Sequence, residues 1–296
     1  MSTMLKISIV TACYNMAKYI EQTIRSVLSQ GYDNLEYIII DGGSTDGTQD
    51  IIEKYRDSLA YYISEPDDGM YDAINKGFAH ASGDVMAWLN ADDVYLPGTL
   101  HTVNKIFSTF EDVEWINGRN AYLSSDGLIT HILPKNAIRT RRDFFNGWCR
   151  DELLGFVQQE SMFWRKRLLD RVGPLNLAYK YAGDYDLWMR FAGTTDIFYV
   201  NTPLSAYRRR KDCLSTIQLE GYLDEVRRIH SGKPRYPSLI WRLIPKGNRP
   251  LLNILRMLRF KKGNLIYYSY LGDRLTKKQL IGSSSPHTFS SLSTLY

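Results

Sequence analysis

The sequence predicts an α/β protein: a mainly parallel, mixed sheet with helices on both faces, followed by a basic C-terminal helical extension. Three observations predict it. Strand-length apolar runs alternate with helical periodicity throughout residues 1–110, the pattern of a right-handed, doubly covered parallel sheet. Those runs stop at small or polar groups, Thr11-Ala12, Asp41, Glu65 and Asn90/Asp92/Asp93, and in such sheets the carboxyl ends of the strands share one crevice where ligands bind. The basic charge, finally, is not spread over the chain. Residues 226–296 hold 14 Lys and Arg and one acid, Asp273, whereas residues 1–225 hold 23 basic and 31 acidic residues.

Each element has its own reason. Ile7-Ser8-Ile9-Val10 is a buried strand ending at Thr11-Ala12-Cys13-Tyr14-Asn15. Ile20, Ile24, Val27 and Leu28 recur at helical spacing within 17–30, which closes near Gly31. A second strand from Leu35 to Ile40 ends at Asp41 and opens Gly42-Gly43-Ser44-Thr45-Asp46-Gly47, followed by a helix over about 46–57. That glycine loop has neither G-x-G-x-x-G nor G-x-x-x-x-G-K-[ST] spacing, so a tight turn capping the next helix explains it. A third strand spans 60–64. The helix over 69–81 carries Met70, Ile74 and Phe78 on one face, and a fourth strand runs through Met86–Leu89 to Asn90. Beyond Asp93 the alternation is less regular. A helix at 97–110, strands at 113–123 and 128–133, a loop-like or helical 139–156 and a strand from Phe156 to Trp164 are expected. A helix at 184–193 and strands near 197–200 and 204–209 complete an acceptor half.

The proposed organisation is therefore 1–225 as one domain (1–110 the nucleotide-binding half, 111–225 the acceptor half), 226–282 as a basic amphipathic extension, and 283–296 as a disordered Ser-rich tail. Within the extension Leu251, Ile254, Leu255 and Leu258 follow i, i+3, i+4, i+7 spacing, the mark of a short amphipathic helix on a membrane surface or packed on the domain. An acidic body with a basic tail excludes a nucleic-acid reader, whose recognition domain would itself be basic. It fits attraction of residues 231–278 to an anionic membrane surface. Three scattered cysteines without C-x-x-C imply a reducing compartment and no zinc site. Lys6 precedes only a strand-length apolar run, so no signal peptide is expected. No run approaches the roughly 18 apolar residues of a membrane-spanning helix. The location expected is cytoplasmic, peripheral at the inner membrane face. The many aromatics (21 Tyr, 6 Trp) are read mostly as core.

The chemistry gathers at Trp88-Leu89-Asn90-Ala91-Asp92-Asp93. Two adjacent carboxylates at a core strand's end repel each other unless a cation or a donor-rich ligand lies between them, and such oxygen donors suit Mg²⁺ or Mn²⁺; the same residues are also good turn chemistry. Asp41 and Asp92 supply acceptors for a nucleotide's base and ribose, and the small residues near Thr11 let backbone approach the base. Lys76 is either a counter-ion for a diphosphate or a solvated helix lysine. Asp186 and Arg190 have the spacing of a helical ion pair. Asp184, after Gly183 at the helix start, is either an N-cap or a general base at a cleft rim.

Taken in order, these segments resemble inverting glycosyltransferases of family 2, which have the Rossmann-like GT-A fold. The resemblance covers roughly 5–215 and rests on Ser8-Ile9-Val10-Thr11-Ala12-Cys13-Tyr14-Asn15, Ile39-Ile40-Asp41-Gly42-Gly43-Ser44-Thr45-Asp46-Gly47-Thr48, Ser64-Glu65-Pro66-Asp67-Asp68-Gly69 with Tyr71-Asp72-Ala73 and Asn75-Lys76-Gly77, Leu89-Asn90-Ala91-Asp92-Asp93, and Gly183-Asp184-Tyr185-Asp186-Leu187-Trp188 with Arg190. It implies a nucleotide-sugar donor, UDP-linked, held by Thr11, Ala12, Tyr14, Asp41, Asp72, Lys76, Asn90 and Asp92. It implies Mg²⁺ or Mn²⁺ at Asp92 and Asp93, and Asp184 as the catalytic base. The acceptor implied is a glycan or lipid-linked glycan of cell-surface polysaccharide synthesis. Three departures stand out: Asn90 where many members have Asp, Gly183 in place of an acid before Asp184, and Tyr207-Arg208-Arg209-Arg210-Lys211 where some carry a histidine metal ligand. Arg210 cannot ligate a metal; it is suited to phosphate. A sugar-nucleotide nucleotidyltransferase would need a Gly-rich loop after the first strand, which Thr11–Asn15 is not. An inactive carbohydrate-binding relative is opposed by the intact Asp92, Asp93 and Asp184.

Overall fold

The computed structural model describes residues 4–133, 139–145, 149, 157–210, 212–213, 217–231, 263–269 and 274–280. The first half follows the expected alternation: β1 (Ile7–Cys13), α1 (Ile20–Leu28), β2 (Leu35–Asp41), α2 (Thr48–Glu53), β3 (Tyr61–Ser64), α3 (Met70–His80) and β4 (Val85–Trp88). β1 runs parallel to both β2 and β4, with Val10 beside Ile38 on one side and Trp88 on the other. β3 continues the parallel set beyond β2. Buried on both faces, β1 and β2 consist almost wholly of side chains shielded from water, which is why they read as unbroken apolar runs rather than as alternation. α3 packs against β1 at Gly77, where an added Cβ would collide with the Val10 side chain.

The second half contains β5 (Val94–Tyr95), α4 (Thr99–Thr109), β6 (Trp115–Arg119), β7 (Ala121–Leu123), β8 (Ile129–Ile132), α5 (Arg141–Phe145), β9 (Met162–Arg165), α6 (Lys166–Val172), α7 (Gly183–Thr194), β10 (Phe198–Pro203), β11 (Ser205–Arg208) and α8 (Leu219–Ile229). β9 lies antiparallel between β4 and β6, and β10 extends the sheet parallel to β6. A smaller sheet, in the order β5-β11-β7-β8, stands beside the main one over its own apolar cluster of Val94, Ala121, Leu123 and Ala206.

Two expectations changed. The run expected to be a strand from Phe156 begins its strand only at Met162; Gln159–Ser161 form a 3-10 turn instead. Residues 263–269 and 274–280, expected inside a helical extension, are strands β12 (Gly263–Ser269) and β13 (Arg274–Leu280). β12 adds parallel to β10 and β13 pairs back on it, giving nine strands in the order β13-β12-β10-β6-β9-β4-β1-β2-β3. The physical reason is local: Leu-Ile-Tyr-Tyr is strand-favouring chemistry, and β10 offers it an edge. The amphipathic segment 250–261 and the Ser-rich tail 283–296 lie outside the described residues.

Trp88, Trp115, Trp164 and Trp188 are fully buried at the centre of the core. Trp188 of α7 stacks on Trp88, the last residue of β4, with ring centroids 5.4 Å apart and planes 8° from parallel. Such a pair contributes roughly 1 kcal/mol beyond its buried area, and it fixes α7 against the carboxyl end of the central strand.

Candidate active site

The carboxyl ends of the first-half strands lie along one edge of the sheet, but several expected ligand-binding side chains are already committed there. Asp41 is fully buried; it accepts from the Ser44 amide (2.9 Å), the Ser64 hydroxyl (2.6 Å) and the Ser44 hydroxyl. It braces the β2–α2 loop from beneath. Thr11 is buried, its hydroxyl 3.1 Å from that of Tyr37. Ala12 is half-buried, and Tyr14 is exposed beside Gly42 and Asp67. The glycine loop works as its turn chemistry suggested: Ser44 Oγ accepts from the Asn15 amide at 2.7 Å, Asn15 Oδ1 from the Thr45 amide at 3.0 Å, and Asp46 from the Ala17 and Thr48 amides. Those bonds tie the β1 and β2 loops together. Lys76 pairs with Glu65 at 2.9 Å and with Asp72 at 3.4 Å.

At the end of β4, Asn90–Asp93 form a turn that Thr23 secures by donating its hydroxyl to the carbonyls of Ala91 (2.9 Å) and Asp93 (2.8 Å). Asp93 is fully buried. Its carboxylate accepts from the Arg208 amide (2.8 Å) and from Asn90 Nδ2 (3.2 Å). Burial first, then the charges of Asp92 and Glu160, push its carboxyl well above the usual range. Asp92 forms an ion pair with Arg210, Nε to Oδ2 at 2.9 Å, with side chains only 13 and 10% exposed. Burial raises the Asp92 carboxyl and the Arg210 charge opposes that rise. Arg208, also buried, donates Nε to the Asp92 carbonyl (2.6 Å) and a terminal nitrogen to Gln22 Oε1 (2.6 Å). Both guanidinium groups lie over the Tyr19 ring, at 5.0 and 4.9 Å from its centroid.

The opposite wall is built on α7. Glu225 of α8, itself buried, accepts from the amides of Lys180, Tyr181 and Ala182 at 2.8–2.9 Å and so pins the segment that leads into the helix. Asp184 lies one residue into the helix, where backbone amides of the first turn hydrogen-bond its charged form. Its carboxyl is 3.4 Å from the Tyr71 hydroxyl. Desolvation, outweighing the hydrogen bonds to its charged form and assisted by Glu225, pushes it up to about 6. Gly183 has a steric reason: an added Cβ would stand 2.7 Å from the Tyr71 ring. Tyr71 occupies the space beside Asp184. One helical turn on, Trp188 stacks on Trp88, so α7 is held to the strand that leads into Asp92 and Asp93. Asp186 makes the expected ion pair with Arg190 at 2.8 Å.

Sequence reasoning missed Glu160. It sits in the 3-10 turn before β9, 2% exposed, with Oε1 lacking any hydrogen-bond partner. Burial, reinforced by the fields of Asp92 and Asp184, raises its carboxyl to about 8. Its reach to both places it in the same acidic crevice. The polar stretch Gln158-Gln159-Glu160-Ser161 just before the apolar Met162-Phe163-Trp164 was the signal that pointed to it. Glu225 and Tyr71 carried no comparable signal, because their roles arise only from contacts across the fold.

The carboxylate pair does not, as folded, offer a divalent cation an open donor set. Asp92 faces a guanidinium, and Asp93 is enclosed by Asn90 and a backbone amide. Among the described residues no group of three or more His, Cys, Asp or Glu is arranged to hold a metal ion. Nor is any helix among them long and apolar enough to cross a membrane.

Known proteins agree with this architecture. A family model, Glycosyl transferase family 2, matches residues 8–173. An uncharacterized glycosyltransferase of Rickettsia typhi is 25% identical over 276 residues, 93% of this chain and 86% of that protein. One from Mycobacterium tuberculosis is 39% identical over 190 residues, 63% of this chain and 68% of that one. For a third, from a Nostoc species, the identity is 29% and the chain spans only 54% of the relative's length. Among solved structures, S. aureus TarS in complex with UDP superposes with a TM-score of 0.58 at 18% identity, over 76% of this chain and 64% of that one. The mannosyltransferase PcManGT from Pyrobaculum calidifontis, in complex with GDP-Man and Mn²⁺, gives 0.54 at 20% identity, over 86 and 70%.

Proposed function

The chain belongs to glycosyltransferase family 2 and has the GT-A fold, and on that premise we propose that it transfers a sugar, with inversion, from a nucleoside-diphosphate sugar to an acceptor hydroxyl. The observation that carries this reading is Asp184: a desolvated carboxylate at the start of α7, raised to about 6, on a helix that the Trp188–Trp88 stack holds against the strand leading to Asp92. A base with a pKa near the working pH is what general-base catalysis needs. In the proposed step Asp184 takes the acceptor's hydroxyl proton as the oxygen attacks the anomeric carbon. The carbon–oxygen bond to the diphosphate breaks with its electron pair, and the nucleoside diphosphate leaves. One base suffices, unlike the paired carboxylates of a hydrolase.

Thr11, Ala12, Tyr14 and Asp41 line or brace the base and ribose side, and Asp72, Lys76, Asn90 and Asp92 stand toward the diphosphate. Because Thr11 and Asp41 have buried, engaged side chains, this reading gives contact with the nucleotide to neighbouring backbone and to Tyr14. No step is routed through Mg²⁺ or Mn²⁺, since Asp92 would first have to leave Arg210. UDP and GDP are the donors to test first, from the ligands of TarS and PcManGT. The acceptor is read as a glycan or lipid-linked glycan of cell-surface polysaccharide synthesis, met at the inner membrane face. The excess of 14 basic residues over one acid in 226–296 supports that location.

The test is a panel of nucleotide sugars, scored by nucleotide release with and without oligosaccharide acceptors. Asp184→Asn is expected to abolish transfer and leave nucleotide binding intact; loss of binding would refute its role as base. Sedimentation with anionic liposomes, for the full chain and for one ending at residue 230, tests the membrane surface.

A further inference from the structure

The cation at the end of the central strand belongs to the protein itself. Asp92, the residue that the family resemblance assigns to metal and ribose, is held at 2.9 Å by Arg210 in a pair almost closed to solvent. Its neighbour Asp93 is turned inward, onto the Arg208 amide and Asn90. The two guanidinium groups do not arrive by chance. Arg208 closes strand β11, whose pairing with β5 brings Ala206 opposite Val94, immediately after Asp93. The same strand therefore delivers Arg210, two residues later, to the Asp92 carboxylate. Tyr19 then supplies a ring against which both guanidiniums lie, a contact that fixes planar cations and suits arginine better than lysine.

The charge balance follows from that geometry. Two permanent positive charges stand there: Arg210 contacts two carboxylates, Asp92 at 2.9 Å and the exposed Asp212 at 3.1 Å, while Asp93 is held by the Arg208 amide and Asn90. A phosphate-bearing ligand reaching Arg210 would take the place of the exposed Asp212 on its terminal nitrogen, and guanidinium is the side chain best matched to phosphate oxygens.

We propose that Arg210 is the diphosphate-neutralising cation of this site, standing where a divalent ion would have to bind and making donor binding independent of metal. The proposal rests on the donor reading above and specifies how that donor is held. Oxygen donors for a metal and a guanidinium counter-ion are alternatives at Asp92: while Arg210 occupies Oδ2, that carboxylate has no complete edge to give an ion.

The full-length chain tests it. Binding of UDP, GDP, dTDP and CDP is measured by calorimetry in EDTA and in saturating Mn²⁺, and Mn²⁺ alone is titrated by its paramagnetic resonance signal. The expected result is that the best-bound diphosphate keeps its affinity in EDTA, and that Arg210→Gln weakens it about 10- to 100-fold while the matching nucleoside is unaffected. Mn²⁺ alone should bind Arg210→Gln and not the wild type. A diphosphate affinity that collapses in EDTA overturns the proposal using the wild type alone, whatever the variant's folding. If no nucleoside diphosphate binds, the donor reading falls and Arg210 is judged by Mn²⁺: an ion that binds the wild type through Asp92, or one that binds neither protein, overturns it.

Discussion

The two acidic walls of the crevice are held in opposite ways. On the donor wall each carboxylate has its partner: Asp41 has Ser44 and Ser64, Asp92 has Arg210, Asp93 has Asn90 and the Arg208 amide. On the acceptor wall Asp184 has a long contact to Tyr71 beside its backbone hydrogen bonds, and Glu160 has an oxygen with no partner. The donor-wall carboxylates build a rigid platform, Asp93 among them although burial raises it too, while burial lifts Asp184 to about 6 and Glu160 to about 8. On the proposed reading, the fold separates binding from proton transfer by the partners it supplies to each side.

The comparison breaks most decisively at Asp184. Asp184→Asn should lower the transfer rate by about 10²- to 10⁴-fold, measured as nucleotide release under saturating donor. On the platform wall, Arg208→Met removes the guanidinium that binds the Asp92 carbonyl and Gln22. Leaving these buried groups unpaired should cost on the order of 3 kcal/mol, read as a lower denaturant midpoint. A small loss there would mean that the platform is not held as described.

Glu160 sharpens the contrast through stability. Its folded pKa of about 8 lies above the ordinary 4.5, so its stabilising proton is fully present below about pH 4 and lost as pH rises to 8. Glu160→Gln should therefore be the more stable protein at pH 8 by on the order of 1–3 kcal/mol, with the gap closing at pH 5. The smallest effect concerns Tyr71. The wild-type rate should rise about tenfold per pH unit below 6 and flatten above it, as Asp184 ionises. Tyr71→Phe deletes a hydrogen bond that favours the charged form, so that inflection should move upward by less than about one unit.

How much of this was legible depended on whether a residue's role was local. The β1–β4 strands were legible because strands buried on both faces must be apolar throughout, and Ile38, Ile39 and Ile40 can hardly mean anything else. Asp186–Arg190 was legible because a helix sets its own four-residue spacing. β12 and β13 were not: the helical spacing of Leu251, Ile254, Leu255 and Leu258 suggested a helical extension, and the edge of β10 made strands of 263–269 and 274–280. Glu160 was hidden because Phe156 to Trp164 was read as one strand, whereas Gln159–Ser161 turn before Met162. The neighbours of Asp184 were hidden altogether, since Tyr71 lies 113 residues away.

The order of the segments and the residue types at the strand ends were enough for the sequence to determine an α/β sheet, its ligand-bearing edge and the identity of the acids there, because periodicity and turn chemistry act between neighbours in the chain. Which acids are neutralised, which keep a proton, and whether arginine or an open space faces Asp92 were decided only by the tertiary structure. Burial and pairing depend on what distant segments bring within a few ångströms, and β11, α8 and the turn before β9 arrive at this crevice from far along the chain.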